Sequence, residues 1–354
     1  MKVSEDFVDE PNGCPRMNGT SQTTGFFICV ENCCQDPKTE TGGLRRQPSV
    51  RDPLAGLIRP SAFGIRARLI AMLALWPLPY RCFAQERPYI VTYDHHLEEP
   101  GSLDIEYFST FGTQYQGNDF HAFWLELEYG AKAWWTTECY LDGQTTFHDS
   151  TVFTGFRWEN RFQPLRTEHF INPVIYIEYE HVTDADKIIK EVEGHDVAAD
   201  NAPPNSILRQ TLNHELEFKL ILSRDFRGWN FAINPIVVKN LSPSDPWEFG
   251  YAIGVSRPLA LKASARPCNF CRENFIAGVE MYGGLGDTVS FGLHETSHYL
   301  APCLAWNLPS GWTLRVSPGF GLNDNSHGLL LRWGVSREIS NFGELFRQLF
   351  RGRS

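Results

Sequence analysis

Long apolar runs are missing from this sequence. In IRARLIAMLALWPLPYRCFAQ the apolar core extends about eleven residues, Leu69 to Pro79, well short of the roughly 20 that a membrane-spanning helix needs. Long amphipathic helices are missing from the body of the chain as well. No basic run with interleaved aromatics occurs, and the formal net charge is -10, which argues against a general affinity for nucleic acid or anionic lipid. There is no GxSxG nucleophile elbow and no glycine loop shaped to cradle phosphate. Charged residues make up only 21% and methionines number four. Aromatics, at 13% with ten tryptophans, are abundant. Many Trp and Tyr beside few charges describe a chain with much apolar surface to place.

Residues 1–58 are rich in Gly, Pro, Thr, Asn and charge, with little periodicity. They are read as a non-native or disordered N-terminal extension, on which no structure is forced. Residues 59–84 carry the three parts of a secretory signal peptide. Arg66 and Arg68 precede the apolar core, Pro77 and Pro79 disfavour a buried helix, and small residues end the segment at Ala84. Cleavage is expected after Ala84. Cys82 lacks the preceding small residues of a lipoprotein signal. Because a signal normally begins a chain, the natural start is expected further in than Met1.

From Gln85 onward the pattern has period two. In DFHAFWLELEYG, Phe123, Leu125, Leu127 and Tyr129 share one parity, while Glu126 and Glu128 share the other. Such alternation is a strand with one apolar and one polar face. It recurs in SLDIEYF, NPVIYIEYEHV, HELEFKLIL, WEFGYAIGV, WTLRVSPGF and GLLLRWGVS. About twelve to fourteen such segments lie between Ile90 and Ile339. Short turns are expected at GLGD (284–287), PSG (309–311) and NDNS (323–326), where Gly and Asn supply positive φ. Longer links are expected at about 183–208, with one short helix, and 258–272. The tail 340–354 has an amphipathic helical pattern, with Phe342, Leu345, Phe346 and Leu349 on one side.

Two architectures accept such strands: a soluble β-sandwich and a transmembrane β-barrel. The signal peptide favours the barrel, and so do segments near the 9–11 residues that cross the hydrocarbon layer. Aromatics on the apolar parity, such as Tyr129, Tyr179, Trp247, Trp312 and Trp333, suit interfacial girdles. The other parity carries Asp104, Glu106, Glu126, Glu128, Glu178, Glu180, Glu215, Glu217, Glu248 and Glu280, with Arg157, Arg161, Lys219, Arg315 and Arg332. Those carboxylates cannot sit in a dry sandwich core. The expected fold is therefore all-β, an antiparallel transmembrane barrel of about twelve (12–14) strands over residues 85–339. The charged parity would be its pore lining.

Over residues 60–339 the chain resembles Gram-negative outer-membrane β-barrels of an uncharacterised, roughly twelve-stranded type. The resemblance rests on the signal peptide, the alternating segments, the short turns and the last strand GLLLRWGVSREI. It implies an exported protein of the cell outer membrane, with membrane lipid and the barrel-assembly machinery as partners. The residues after the last strand depart from the pattern, since such barrels usually end on a terminal aromatic. The function expected is a channel or transporter-like barrel for small solutes with an acidic lumen. The alternatives are a non-conducting structural or binding barrel and a secreted β-sandwich that binds carbohydrate through Trp134 and Trp135. No cofactor or metal is expected.

HETSH at 294–298 has the HExxH spacing of zinc peptidases. That site needs His294 and His298 one helical turn apart, about 6 Å along the axis. Gly292 and Pro302 oppose a helix here. On one continuous strand the two would be about 13 Å apart, and a hairpin at 295–297 is the remaining option. The spacing is read as incidental and the protein as no enzyme. Cys268 and Cys271 in PCNFC are expected to form a local disulfide in an oxidising compartment. Cys139 and Cys303 read as small apolar fillers. YDHH, Tyr93 to His96, reads as a solvated segment before the first strand.

Overall fold

The computed structural model describes residues 87–115, 117–188, 201–266 and 268–351. The extension 1–58 and the signal segment 59–84 lie outside them. Twelve strands follow in chain order: β1 Leu103–Gly112, β2 Phe120–Lys132, β3 Trp135–Thr146, β4 Thr151–Phe162, β5 Asn172–Thr183 and β6 Leu212–Phe226. The second half holds β7 Trp229–Asn240, β8 Trp247–Pro258, β9 Phe275–Asp287, β10 His298–Asn307, β11 Trp312–Gly321 and β12 Leu329–Ile339. Each strand pairs antiparallel with its chain neighbours, and β1 pairs with β12 from Leu103↔Ile339 to Gly112↔Leu330. The sheet is thus one closed barrel. Closure satisfies every edge, the condition for strands in lipid. Among the described residues no second sheet packs against it, and a closed barrel takes the place of the sandwich alternative.

Alternation sets the two walls. Along β1, Asp104, Glu106 and Phe108 are buried, while Leu103, Ile105 and Tyr107 are more exposed. The outer wall carries exposed apolar side chains on strand after strand, among them Leu127, Leu141, Phe156, Ile175, Leu220, Ile233, Ile253, Met281, Leu300, Val316 and Leu331. A girdle of this chemistry belongs in hydrocarbon rather than water. Tyr129, Trp247 and Trp312 stand near strand ends, as interfacial aromatics do. Tyr179 and Trp333 instead fall well inside β5 and β12, because period two reports facing and not depth.

The rim where β1 begins and β12 ends is called the terminal rim, and the opposite one the distal rim. Terminal connections include the two-residue turn 227–228, where Arg227 (φ 53) and Gly228 (φ 83) both take the left-handed conformation of a type I′ hairpin. The terminal link 259–274 holds the Cys268–Cys271 disulfide. The distal rim carries the long link 184–211, with α1 at Asn205–Leu208. The acidic part of that link, 189–200, lies outside the described residues. GLGD is not a turn: residues 284–287 end β9, and the connection follows at 288–297. The ladder to β8 runs on past Gly284 with only a bulge at Phe249/Gly250. After β12 the chain forms α2, Phe342–Arg351, whose Gly343 N–H donates to the Gly101 carbonyl (3.1 Å) at the terminal rim.

Candidate functional site

The inner wall is chemically divided. On the β7–β12 side it carries an apolar patch, with Ile236, Val238, Ala252, Tyr282, Tyr299, Ala301 and Leu330 buried together with Phe120 and Ala122, set among polar groups such as Asn234, Glu280, Arg315 and Arg332. On the β1–β6 side it is acidic, and the register orders the acids. Glu338 pairs with Asp104 across β12 and β1, Asp104 with Glu128, Glu128 with Glu138, and Glu138 with Glu159. Glu159 then pairs with Glu178, and Glu178 with Glu217. Val238 interrupts once before Glu248 and Asp287 complete the line on β8 and β9. The row begins beside the terminal rim, passes mid-barrel at Glu178 and reaches the distal rim at Asp287. Strand tilt makes a row drawn across the ladders climb along the barrel axis.

Adjacent strands are about 4.8 Å apart, so neighbouring carboxylates repel strongly unless cations lie between them. Those cations come from the rows on either side. Arg161 approaches Glu128 (2.5 Å), Glu159 (3.1 Å) and Glu138. Arg157 donates twice to Asp142 (3.1 Å each) and once to Glu178 (3.1 Å). Lys219 holds Glu217 (2.6 Å) and Arg315 holds Glu106 (2.5 Å). The buried Tyr140 hydroxyl lies 2.6 Å from both Glu138 and Glu159.

The lumen is also occupied by the chain itself. Residues 87–102 enter from the terminal rim, and the wall grips their backbone. The Glu280 carboxylate, on β9, accepts N–H bonds from Ile90 (3.0 Å), Val91 (2.9 Å) and Thr92 (2.7 Å). Asn234 on β7 accepts from the Tyr93 N–H (2.7 Å) and donates to its carbonyl (3.0 Å). The Tyr93 hydroxyl donates to Glu159 (3.1 Å), and the His95 N–H donates to Ser223 (2.8 Å). Tyr89 packs over Gly254, where a Cβ would stand 2.7 Å from its ring. From the distal rim, residues 184–188 also turn inward. Asp186 accepts from Thr154 (2.7 Å), and Ile188 packs against Phe108, Trp124 and Tyr140. The two inserts meet, since Ile90, Val91 and Ile188 line one small cavity of about 90 Å³.

A larger cavity of about 620 Å³ lies on the terminal side of the inserts. Its carboxylates are Asp94, Glu98, Glu99, Glu106, Glu126, Glu128, Glu138, Asp225 and Glu338, and its guanidiniums are Arg87, Arg161 and Arg315. At its mouth Arg87 bonds Asp94 (3.0 Å) and Asp225 (2.7 Å), and His96 also meets Asp225 (3.0 Å).

Most residues singled out from sequence stand on this inner wall. Asp104, Glu106, Glu126, Glu178, Glu180, Glu217, Glu280, Arg161, Arg315 and Arg332 are buried there. Glu128, Arg157, Glu215, Lys219 and Glu248 share its parity and are half-buried. Glu138, Asp142, Glu159, Asp287 and Glu338 are equally part of it and were missed. Glu159 stands between Arg157 and Arg161 at strand spacing, a signal that was available. YDHH is not solvated as a whole: Tyr93 sits among lumen side chains, and Asp94 and His95 are buried. HETSH forms no helix. His294 is exposed in the distal link, while His298 opens β10 and contacts the Tyr251 hydroxyl (3.0 Å). Cys303 is buried, but Cys139 faces outward on β3 and is exposed.

A closed twelve-stranded barrel with an apolar outer wall and a charged, hydrogen-bonded inner wall is a transmembrane β-barrel of the outer-membrane type. No protein-family model matches the chain, and no curated protein matches it. Solved structures of similar shape include an outer membrane channel from Pseudomonas putida F1, 9% identical, covering 71% of this chain and 100% of that one, with TM-score 0.45. The NanC porin is 12% identical over 67% of this chain and 100% of its own, with TM-score 0.42. The KdgM porin in complex with disordered oligogalacturonate is 10% identical over 67% and 98%, with TM-score 0.40.

Proposed function

We propose that this protein is a channel or transporter-like barrel for small solutes in the outer membrane, with a lumen that favours cations. The observation that carries this reading is the row of carboxylates running from one rim to the other on the inner wall. A structural barrel needs charge pairs to fill its interior, but it has no need of acids aligned from rim to rim, here broken only at Val238. Fixed negative groups spaced a strand apart lower the energy of a cation at each step and raise that of an anion. The terminal rim, where β1 begins and β12 ends, would face the periplasm.

The first test is whether the untagged protein sits in the outer-membrane fraction and migrates faster unboiled than boiled. The second is conductance across a planar bilayer in a potassium chloride gradient, where a reversal potential on the cation-selective side is expected. Channels with anion selectivity would sink the acidic-lumen reading. The inserts at 87–102 and 184–188 favour a second reading, a non-conducting barrel that presents its distal links to a partner. Absence of both conductance and solute flux from the full chain, and from a chain lacking residues 87–100, would select it.

A further inference from the structure

Midway along the acidic row the charges gather on one spot. Glu178 and Glu217 face each other across β5 and β6, and Glu180 stands two residues along on the same face. One carboxylate oxygen from each lies within 4.8 Å of the other two, and all three side chains are buried. They border the small cavity of about 90 Å³ where the two inserts meet. Glu178 is held by Arg157 (3.1 Å) and by the Tyr176 hydroxyl, and Glu217 by Lys219 (2.6 Å). Glu180 differs. It is 2% exposed, and its Oε2 has no hydrogen-bond partner among the described residues.

An ionised carboxylate oxygen without a partner is costly to bury, and it is relieved either by a proton or by a positive ligand. Arg157 is shared with Asp142, so the described residues bonded to the three glutamates supply about one and a half positive charges. Arg332 borders the same cavity and offsets part of the excess. Oxygen ligands sit about 2.3–2.6 Å from a calcium ion, so oxygens on its opposite sides are just under about 5 Å apart. The cluster has that span.

We propose that Glu178, Glu180 and Glu217 form a binding site for a hard divalent cation, of which calcium is the type, inside the barrel wall. Carboxylate oxygens are the ligands, and Arg157 and Lys219 hold two of them in place. Glu128 and Glu138, which line the larger cavity, and Glu159 beyond them mark the route of entry. The site does not depend on ion conduction, so it stands or falls apart from the channel reading.

Trp124, Tyr93 and Tyr176 line the same cavity and are suited to sensitise terbium luminescence. The full-length barrel, folded in detergent, is titrated with terbium chloride under excitation of its aromatics. Saturable emission, competed by calcium, is expected. Glu180→Gln keeps the side-chain shape and should weaken terbium binding tenfold or more while retaining heat-modifiable migration. Glu180→Asp, which keeps the charge and withdraws the oxygens, should weaken it less. Glu126→Gln, in the separate acidic group that Glu106, Glu126 and Glu128 form at the larger cavity, should leave emission in place. No saturable emission, emission unchanged in Glu180→Gln, or emission lost only in Glu126→Gln would overturn the proposal.

Discussion

Glu280 anchors the inward-folded N-terminal segment through three successive backbone N–H groups. Replacing it by alanine removes the acceptor for all three. Hydrogen exchange at residues 90–92 should rise steeply in Glu280→Ala while the barrel still shows its unboiled mobility, and unchanged protection there would mean that the remaining anchors, Asn234 and Ser223 among them, hold the segment without it. Arg161 plays the complementary part in the wall, because Glu128, Glu138 and Glu159 all converge on it. Removing one member of a buried ionic group typically costs about 3–5 kcal/mol. Arg161→Met should lower unfolding stability in detergent by that order, measured as a shift in the denaturant midpoint. These roles were half legible in the sequence. Parity placed Glu280 and Arg161 on the inner face, but their partners depend on the register of β2, β3 and β4 and on the inward fold of residues 90–92.

Among the elements, β8 is a representative wall strand. Ile253 sits near its middle on the lipid side. An arginine at the bilayer midplane of a barrel costs about 2–4 kcal/mol, so Ile253→Arg should destabilise the folded barrel by that amount in lipid vesicles. The same change at Trp247, beside the distal rim, should cost far less. The distal link 322–328 carries a pH response. His327 is fully buried, and its pKa is pushed down to about 4 by burial first and by Lys187 second. A histidine held neutral when folded binds its proton more readily once released. The link therefore loses stability as pH falls from about 6.5 toward about 4. Hydrogen exchange in 322–328 should increase over that window and flatten in His327→Gln. Strand positions were readable because two-residue periodicity is local. GLGD was misread because glycine and aspartate mark turns only on average, and here the ladder to β8 continues through them.

For the molecule as a whole, the inserts 87–102 and 184–188 occupy the lumen and are the segments that would limit passage. A chain lacking residues 87–100 keeps all twelve strands and the closing β1–β12 ladder. It should form barrels with normal heat-modifiability and a larger single-channel conductance than the full chain. Equal conductance would mean that the segment does not limit passage. The carboxylate row also exists only at this scale, since it needs ten strands in a fixed register, each contributing a single residue, which is a carboxylate on all but β7.

Sequence by itself determined the β-class, the approximate strand number, the two chemically distinct faces and the acidic character of one of them. These follow from alternation along single strands, which requires no knowledge of neighbours. Only the tertiary structure decided that the acids form a line between the rims, that Glu178, Glu180 and Glu217 converge, and that residues 87–102 fold inward. Register and tilt set the first two. The third rests on wall side chains distant in sequence, Glu280 and Asn234, which take the place of a backbone ladder. No local pattern encodes bonds of that kind.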